Sequence, residues 1–441
     1  MSGSTLDVAE NIDNADDEEN QLVQHILSLA KMPTAISSTT LTKLDLFKCG
    51  LSHLPTSLPD VFPQLEILFL FMNQFREMPA VVGACKNLSM ISFKSNNIKT
   101  IHDDALAPQL RWLILTDNEI ESIPSTIGRC VRLQKLMLAG NCLKTIPAEI
   151  QNCSNLELVR LASNRLLQPP IALLSLPNLA WVAFSDNPFL ESVTSGDIAD
   201  APQVSVDAET IMAGDELGRG ASGITRKVWL DDNGCKYAVA VKTYSSTITS
   251  DGNPIEERKA SLAASALPCR SLVNVTGQTN CGSLVMEFLK NYQVLAGPPS
   301  LKSCSRDVYD DVMSLSYKEA QQFAKELMDA LCRLHSIGLA HGDFYGHNVL
   351  FCRIDGDDVL VKLTDFGAAF FYEKESDYGA LIERIEMRAF GHLVEEILAI
   401  CETPSDGNCS LRAIADACLS ESSSCVSFSH LCSLLMSANS K

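Results

Sequence analysis

A chain of 441 residues is long for one domain and implies two or three, and an apolar content of 46% is enough for sizeable cores. The formal net charge of −19 opposes any general affinity for DNA, RNA or anionic lipid, because neutralising phosphates needs cations. The 16 cysteines are scattered, with no CxxC pair, so they read as reduced thiols of a cytoplasmic protein rather than as a disulfide framework.

The opening "MSGSTLDVAENIDNADDEEN" is acidic and poor in apolar residues, with neither the basic nor the apolar stretch of a secretory leader. Disorder is expected there, and within residues 1–40 the amphipathic "ENQLVQHILSLAKM" predicts a capping helix. No run of about 18 apolar residues occurs, so no membrane-spanning helix is expected.

From Leu41 the pattern LxxLxLxxNxL recurs every 22 to 24 residues, with units starting at Leu41, Leu65, Leu88, Leu110, Leu133, Leu156 and Leu179. The alternating apolar residues predict a short strand with one face inward. Asn73, Asn96, Asn118, Asn141, Asn164 and Asn187 stand where a tight bend leaves backbone groups to be bonded. No unit buries its apolar edge alone, so neighbours must stack. The pattern resembles the intracellular type of leucine-rich repeat, with "SDNP" at 185–188 as a closing unit. The outward strand positions are Ile67, Phe69, Phe71, Met90, Trp112, Ile114, Met137, Leu158 and Trp181. So apolar a ladder predicts a contact site for a protein substrate or regulator; the alternatives are mutual coverage along the ladder or contact with this chain's own second domain.

A linker is expected over 191–208, after which the pattern changes. "ELGRGASGITRKVW" sets Gly218, Gly220 and Gly223 in a GxGxxG spacing, and a strand-like "YAVAVKTY" follows a "DDNG" turn. A dinucleotide-binding fold would need a helix at that point, so the spacing fits the hairpin that covers nucleotide phosphates in protein kinases. Lys242 ends the second strand, where a buried ammonium needs an acidic partner. Glu257 in "IEERKASLAAS" is the first choice and Glu256 the second. "SLVMEFL" resembles an adenine-binding hinge, with Met286 behind it and Glu287 to Leu289 along it. "HGDFYGHN" and "VKLTDFG" then supply Asp343, Asn348 and Asp365 in the order a phosphotransferase uses.

Together these motifs resemble the leucine-rich-repeat protein kinase family, over about residues 41–430. The resemblance implies an α/β leucine-rich-repeat solenoid of seven units (41–190) followed by an α+β bilobal protein-kinase-like domain (209–435). Its N-lobe would span 209–289 and its C-lobe 290–435. It implies ATP and Mg2+ as cofactors, transfer to protein hydroxyls (serine or threonine before tyrosine) and a cytoplasmic setting. Asp343 would be the base or orienter, Lys242 the phosphate-binding cation, and Asn348 and Asp365 the metal ligands. Gly218, Gly220, Gly223, Glu257, Met286, Glu287 and Leu289 would complete the nucleotide site, with His341 bracing the loop.

Departures from the family cluster. Gly342 stands where many kinases have an arginine that grips a phosphorylated loop, no APE motif follows "DFG", and Cys425 and Val426 replace a late Arg-Pro pair. Their joint loss implies a trimmed activation segment independent of loop phosphorylation, because losing one partner alone would strand a buried charge. Tyr345 and His347 leave the acceptor open, and "HGDxxxxN" also occurs in aminoglycoside- and choline-type kinases. A nucleotide-binding pseudokinase scaffold and a small-molecule phosphotransferase are therefore alternatives. "DGNCSLRAI" resembles the cysteine segment of ovarian-tumour-type deubiquitinases, but only 32 residues follow Cys409 to hold a catalytic domain.

Overall fold

A computed structural model describes residues 19–29, 38–191, 202–402 (apart from 221, 233, 246 and 355–357), 410–420 and 427–432. Residues 1–18, Cys409, Cys425 and Val426 therefore lie outside the described residues. The chain divides into two compact units, one ending at Leu156 and one running from Glu157 to Lys441.

The first unit is built from short parallel strands, Lys43–Asp45, Ile67–Phe69, Met90–Ser92, Trp112–Ile114 and Lys135–Met137, paired in register in that order. Each central residue, from Leu44 to Leu136, points into a core shared with Leu46, Leu70, Phe93, Leu115 and Leu138. The turn after each strand puts one residue in the left-handed region, as at Met72, Ser95, Asp117 and Gly140. At these four turns the bend aims the next residue, an Asn, at the backbone. Asn73 accepts from the amides of Cys49 and Leu51 (3.0 Å each) and donates to the carbonyls of Leu46 and Leu70. Asn96, Asn118 and Asn141 repeat the arrangement. Because these groups are buried, each ladder asparagine satisfies donors and acceptors that no water reaches. On the opposite edge, Pro124 and Pro147 open the 3₁₀ turns Ser125–Arg129 and Ala148–Asn152. Burial pushes the Cys130 and Cys153 thiols beneath these turns up to about 12 and about 11. No disulfide forms among the described residues. Residues 19–29 form the expected helix, and its Glu19 accepts hydrogen bonds from Thr56 and the Ser57 amide.

The second unit opens with two more repeat strands, Leu158–Arg160 and Trp181–Ala183, paired in parallel. It continues into a five-stranded antiparallel sheet. Its order is Asp215–Arg219, Gly223–Asp232, Cys235–Tyr244, Leu284–Glu287 and Val275–Gln278. Residues 202–207, which composition places in a linker, join this sheet: Val204 donates to the Gln278 carbonyl at 2.8 Å, and Ile211 packs with Val228, Val239 and Val285. Asn253 caps the helix Pro254–Ser265 that crosses the sheet, and a Ser316–Glu319 capping box starts the helix Tyr317–Ser336. Between that helix and the hairpin Val349–Arg353/Val359–Leu363 runs the loop carrying "HGDFYGHN". Only residues 368–376 separate Gly367 from the long helix Asp377–Ala399. Among the described residues, no helix is long and apolar enough to cross a membrane.

Candidate active site

The site is a cavity of about 540 Å³ beneath the glycine hairpin. Lining it are Gly218, Gly220, Gly223, Lys242, Glu257, Met286, Glu287, Leu289, Asn348 and Asp365. The three glycines differ in kind. A Cβ at Gly223 would lie 2.0 Å from the Thr243 carbonyl, so this glycine lets two strands approach. At Gly218 and Gly220 nothing stands within 4 Å, which leaves their backbone bare toward the cavity. Met286 and Glu287 end an inner strand of the sheet, and Glu287 is fixed by Lys362 at 2.5 Å.

On the neighbouring strand, Lys242 faces two carboxylates. Its ammonium pairs with Glu257, and Asp365 Oδ1 lies 3.3 Å away. Glu256, the second choice from sequence, instead pairs with Lys259. Burial alone would lower the Lys242 ammonium, but Asp365 and Glu257 hold it above its ordinary value. In return Lys242 keeps the Asp365 carboxyl below the usual carboxylate range. Asp365 adopts a left-handed φ of 58°, and its Oδ1 also accepts from the Gly367 amide at 3.2 Å.

The catalytic-type loop is held from four sides. Asn348 donates to Asp343 Oδ2 at 2.9 Å and to the Asp343 carbonyl at 2.8 Å, which commits the amide nitrogen and leaves the amide oxygen for a cation. His341 is fully buried; its Nε2 meets the Thr364 carbonyl at 3.0 Å while Nδ1 accepts from the Asp343 amide. His347 is clamped by Asp307, through its backbone amide and Nδ1, and its Nε2 lies 3.8 Å from Asp343. From below, Glu386 of the long helix accepts the backbone amides of His341 and Gly342 at 3.1 and 2.7 Å. Burial would raise the Glu386 carboxyl, but His335 at 2.6 Å and the loop amides hold it below its usual value.

The fourth side is the pair of repeat strands. Arg160 is 2% exposed; it pairs with Asp343, donates Nη1 to the Gly342 carbonyl at 3.0 Å and Nε to Asp251 at 2.8 Å. Trp181 stacks on Tyr345 with centroids 4.3 Å apart and donates its indole N–H to the Phe344 carbonyl at 2.9 Å. Trp181 and Leu158, expected to face an outside partner, are instead buried in the second unit, with Trp181 set against the catalytic-type loop. An apolar ladder beside a folded neighbour in the same chain buries against it, because that removes area from water without any cost of association. Met90 is buried as well, in register between Ile67 and Trp112. Sequence patterning missed Arg160, Asp251, Asp307, His335 and Glu386, since each acts across a long separation. The one sequence signal for Arg160 is a charge at an outward repeat position, which it shares with Lys135.

Residues 212–389 match the protein kinase domain family, and residues 108–166 match leucine rich repeat. Calcium-dependent protein kinase 27 of Arabidopsis thaliana is 28% identical over 190 residues, covering 41% of this chain and 36% of that protein. Serine/threonine-protein kinase chk-2 of Caenorhabditis elegans is 40% identical over 57 residues, covering 13% and 12%. The chain thus spans about a third or less of the length of these relatives. Among solved structures, the APL1 leucine-rich repeat domain is a slight likeness, at TM-score 0.30 and 19% identity over 34% of this chain and 39% of that one. The chain carries a protein kinase domain joined to a leucine-rich repeat region.

Proposed function

We propose that the chain is an ATP- and magnesium-dependent protein kinase transferring the γ-phosphoryl group to serine or threonine hydroxyls of proteins. The observation that carries this reading is one cavity lined by the bare glycines, the Lys242–Glu257–Asp365 cluster and Asn348, with Asp343 bonded to Asn348. Lys242 is paired on two sides, so its charge is fixed and aimed for α- and β-phosphate oxygens. Asp365 and the Asn348 amide oxygen are hard donors, too few for a protein cage but suited to a cation shared with phosphates. Magnesium bound there supplies charge neutralisation on the transferring phosphoryl group. Asp343 accepts the hydroxyl proton, Met286 to Leu289 hold the adenine, and His341 and Glu386 keep the loop rigid. The relative chk-2 is by name a serine/threonine-protein kinase, which favours those acceptors.

In this reading the repeats form a solenoid for protein interaction, with the outward residues Ile67, Phe69, Phe71, Trp112, Ile114 and Met137 as its contact face. Residues 209–435 form a bilobal catalytic domain, and the protein works in the cytoplasm. The test is incubation of purified protein with labelled ATP and a cell lysate, followed by phosphoamino-acid analysis. Wild type should label serine and threonine and Asp343→Asn should not; equal labelling by both would sink the reading.

A further inference from the structure

We infer that Arg160, a residue of the repeats, is a positioning residue of the kinase loop, taking over from the side chain that Gly342 lacks. The inference rests on Asp343 being the proton acceptor. Three observations carry it. The guanidinium bonds both to the Asp343 carboxylate and to the carbonyl one residue before it, so it fixes the side chain and the backbone at once. Its third contact, Asp251, stands two residues before Asn253, the cap of the helix that carries Glu257. One buried cation thereby ties the loop to the helix that orients Lys242.

The second observation is Gly342 itself. It sits at a φ of +74°, and a Cβ there would lie 2.5 Å from the carbonyls of both Val182 and Ala368. The loop is therefore shaped to receive the repeat strand: a side chain at 342 would occupy the space that Val182 fills. Third, the contact is built at several points. A Cβ at Gly252 would lie 2.9 Å from Ser185 Oγ, Asn253 donates to Asp186 at 2.9 Å, and Arg388 donates to the Leu179 carbonyl at 2.9 Å. The joint is thus made at several separate points.

Asp343 stays competent under this arrangement. An ionised carboxylate offers about four lone-pair positions, and Arg160 and Asn348 use one on each oxygen, so an acceptor hydroxyl still has one to donate into. Its side chain is 19% exposed, so one face stays open. Arg160 thus sets the direction of the proton acceptor without consuming it.

The experiment uses full-length protein with an acceptor protein found by the lysate assay. Arg160→Ala should lower kcat by about 10²-fold, the scale of a misplacement of about 1 Å, with KM for ATP and the ATP-induced thermal shift retained. Arg160→Lys should fall between, since a point charge cannot hold two acceptors at fixed angles. Free guanidinium should partly restore R160A and leave R160K unchanged. If R160A does not fold, combining it with Asp251→Asn removes the stranded carboxylate, and the same kcat loss and rescue are expected. A variant kcat equal to or above wild type would overturn the inference, the latter marking the contact as inhibitory. So would a loss of ATP binding parallel to kcat without guanidinium rescue, which is a merely structural role. An active wild type with an equally active R160A leaves the kinase reading standing; an inactive wild type removes that reading and the inference with it.

Discussion

The repeats up to Leu156 and the two strands after it share one sequence pattern, yet their outward residues meet different fates. Apart from the buried Met90, Phe69, Trp112 and Met137 remain half-buried, and Phe47 and Met72 are exposed. Leu158, Arg160, Trp181 and Ala183 are all buried within the unit that holds the kinase domain. A repeat pattern therefore specifies the strand and its inner face, and the companion decides the value of the outer face. At the last two strands the small Ala183 stands on the outer face, and a cation replaces an apolar side chain where the companion offers carboxylates.

Substitutions in the two regions test that contrast. Trp181→Ala removes a buried ring stacked on Tyr345 and should destabilise the second unit by about 3–5 kcal/mol, seen as accelerated hydrogen exchange in residues 339–349. A cost below about 1 kcal/mol would mean the contact is not packed as described. Gly342→Ala should cost about 2 kcal/mol or more, because a left-handed φ and two carbonyl clashes oppose the methyl group. Trp112→Ala, at the corresponding position of the first unit, should cost only about 1–2 kcal/mol, from part-burial and its contact with Lys135. Equal costs for Trp112 and Trp181 would erase the difference between the two regions.

The smallest effect concerns pH. Burial works against the charge on His347, but its bond to Asp307 and the field of Asp343 raise its pKa in the folded state. A raised pKa contributes stability that is fully present below the unfolded value, about 6.5, and is lost as pH rises through the folded value. His347→Gln should therefore lower the melting temperature more at pH 6 than at pH 8.5. A difference independent of pH would contradict the charged pair.

Much of this was legible in the sequence because the signals are local or strictly spaced. The asparagine ladder, the glycine hairpin, Lys242, Asp343, Asn348 and Asp365 all announce themselves by period or motif. What escaped lies in pairings across the chain: Arg160 and Asp343 are 183 positions apart, and Glu386 meets the Gly342 amide across 44. Gly342 shows the limit most clearly. From sequence it marks the absence of an arginine; in the structure a left-handed φ and the Val182 carbonyl require glycine, and a guanidinium arrives from elsewhere. The "DGNC" segment ends at Cys409, outside the described residues, and its downstream Ser410–Leu419 is a helix packed on Asp377–Ala399.

The central claim is that Asp343 serves chemistry while the glycine hairpin and Lys242 serve binding. Its most direct test measures ATP affinity and phosphoryl transfer on the same samples of wild type and Asp343→Asn. ATP affinity should be unchanged, with transfer reduced by about 10²-fold or more in the variant. Transfer that survives Asp343→Asn, at equal ATP affinity, would contradict it.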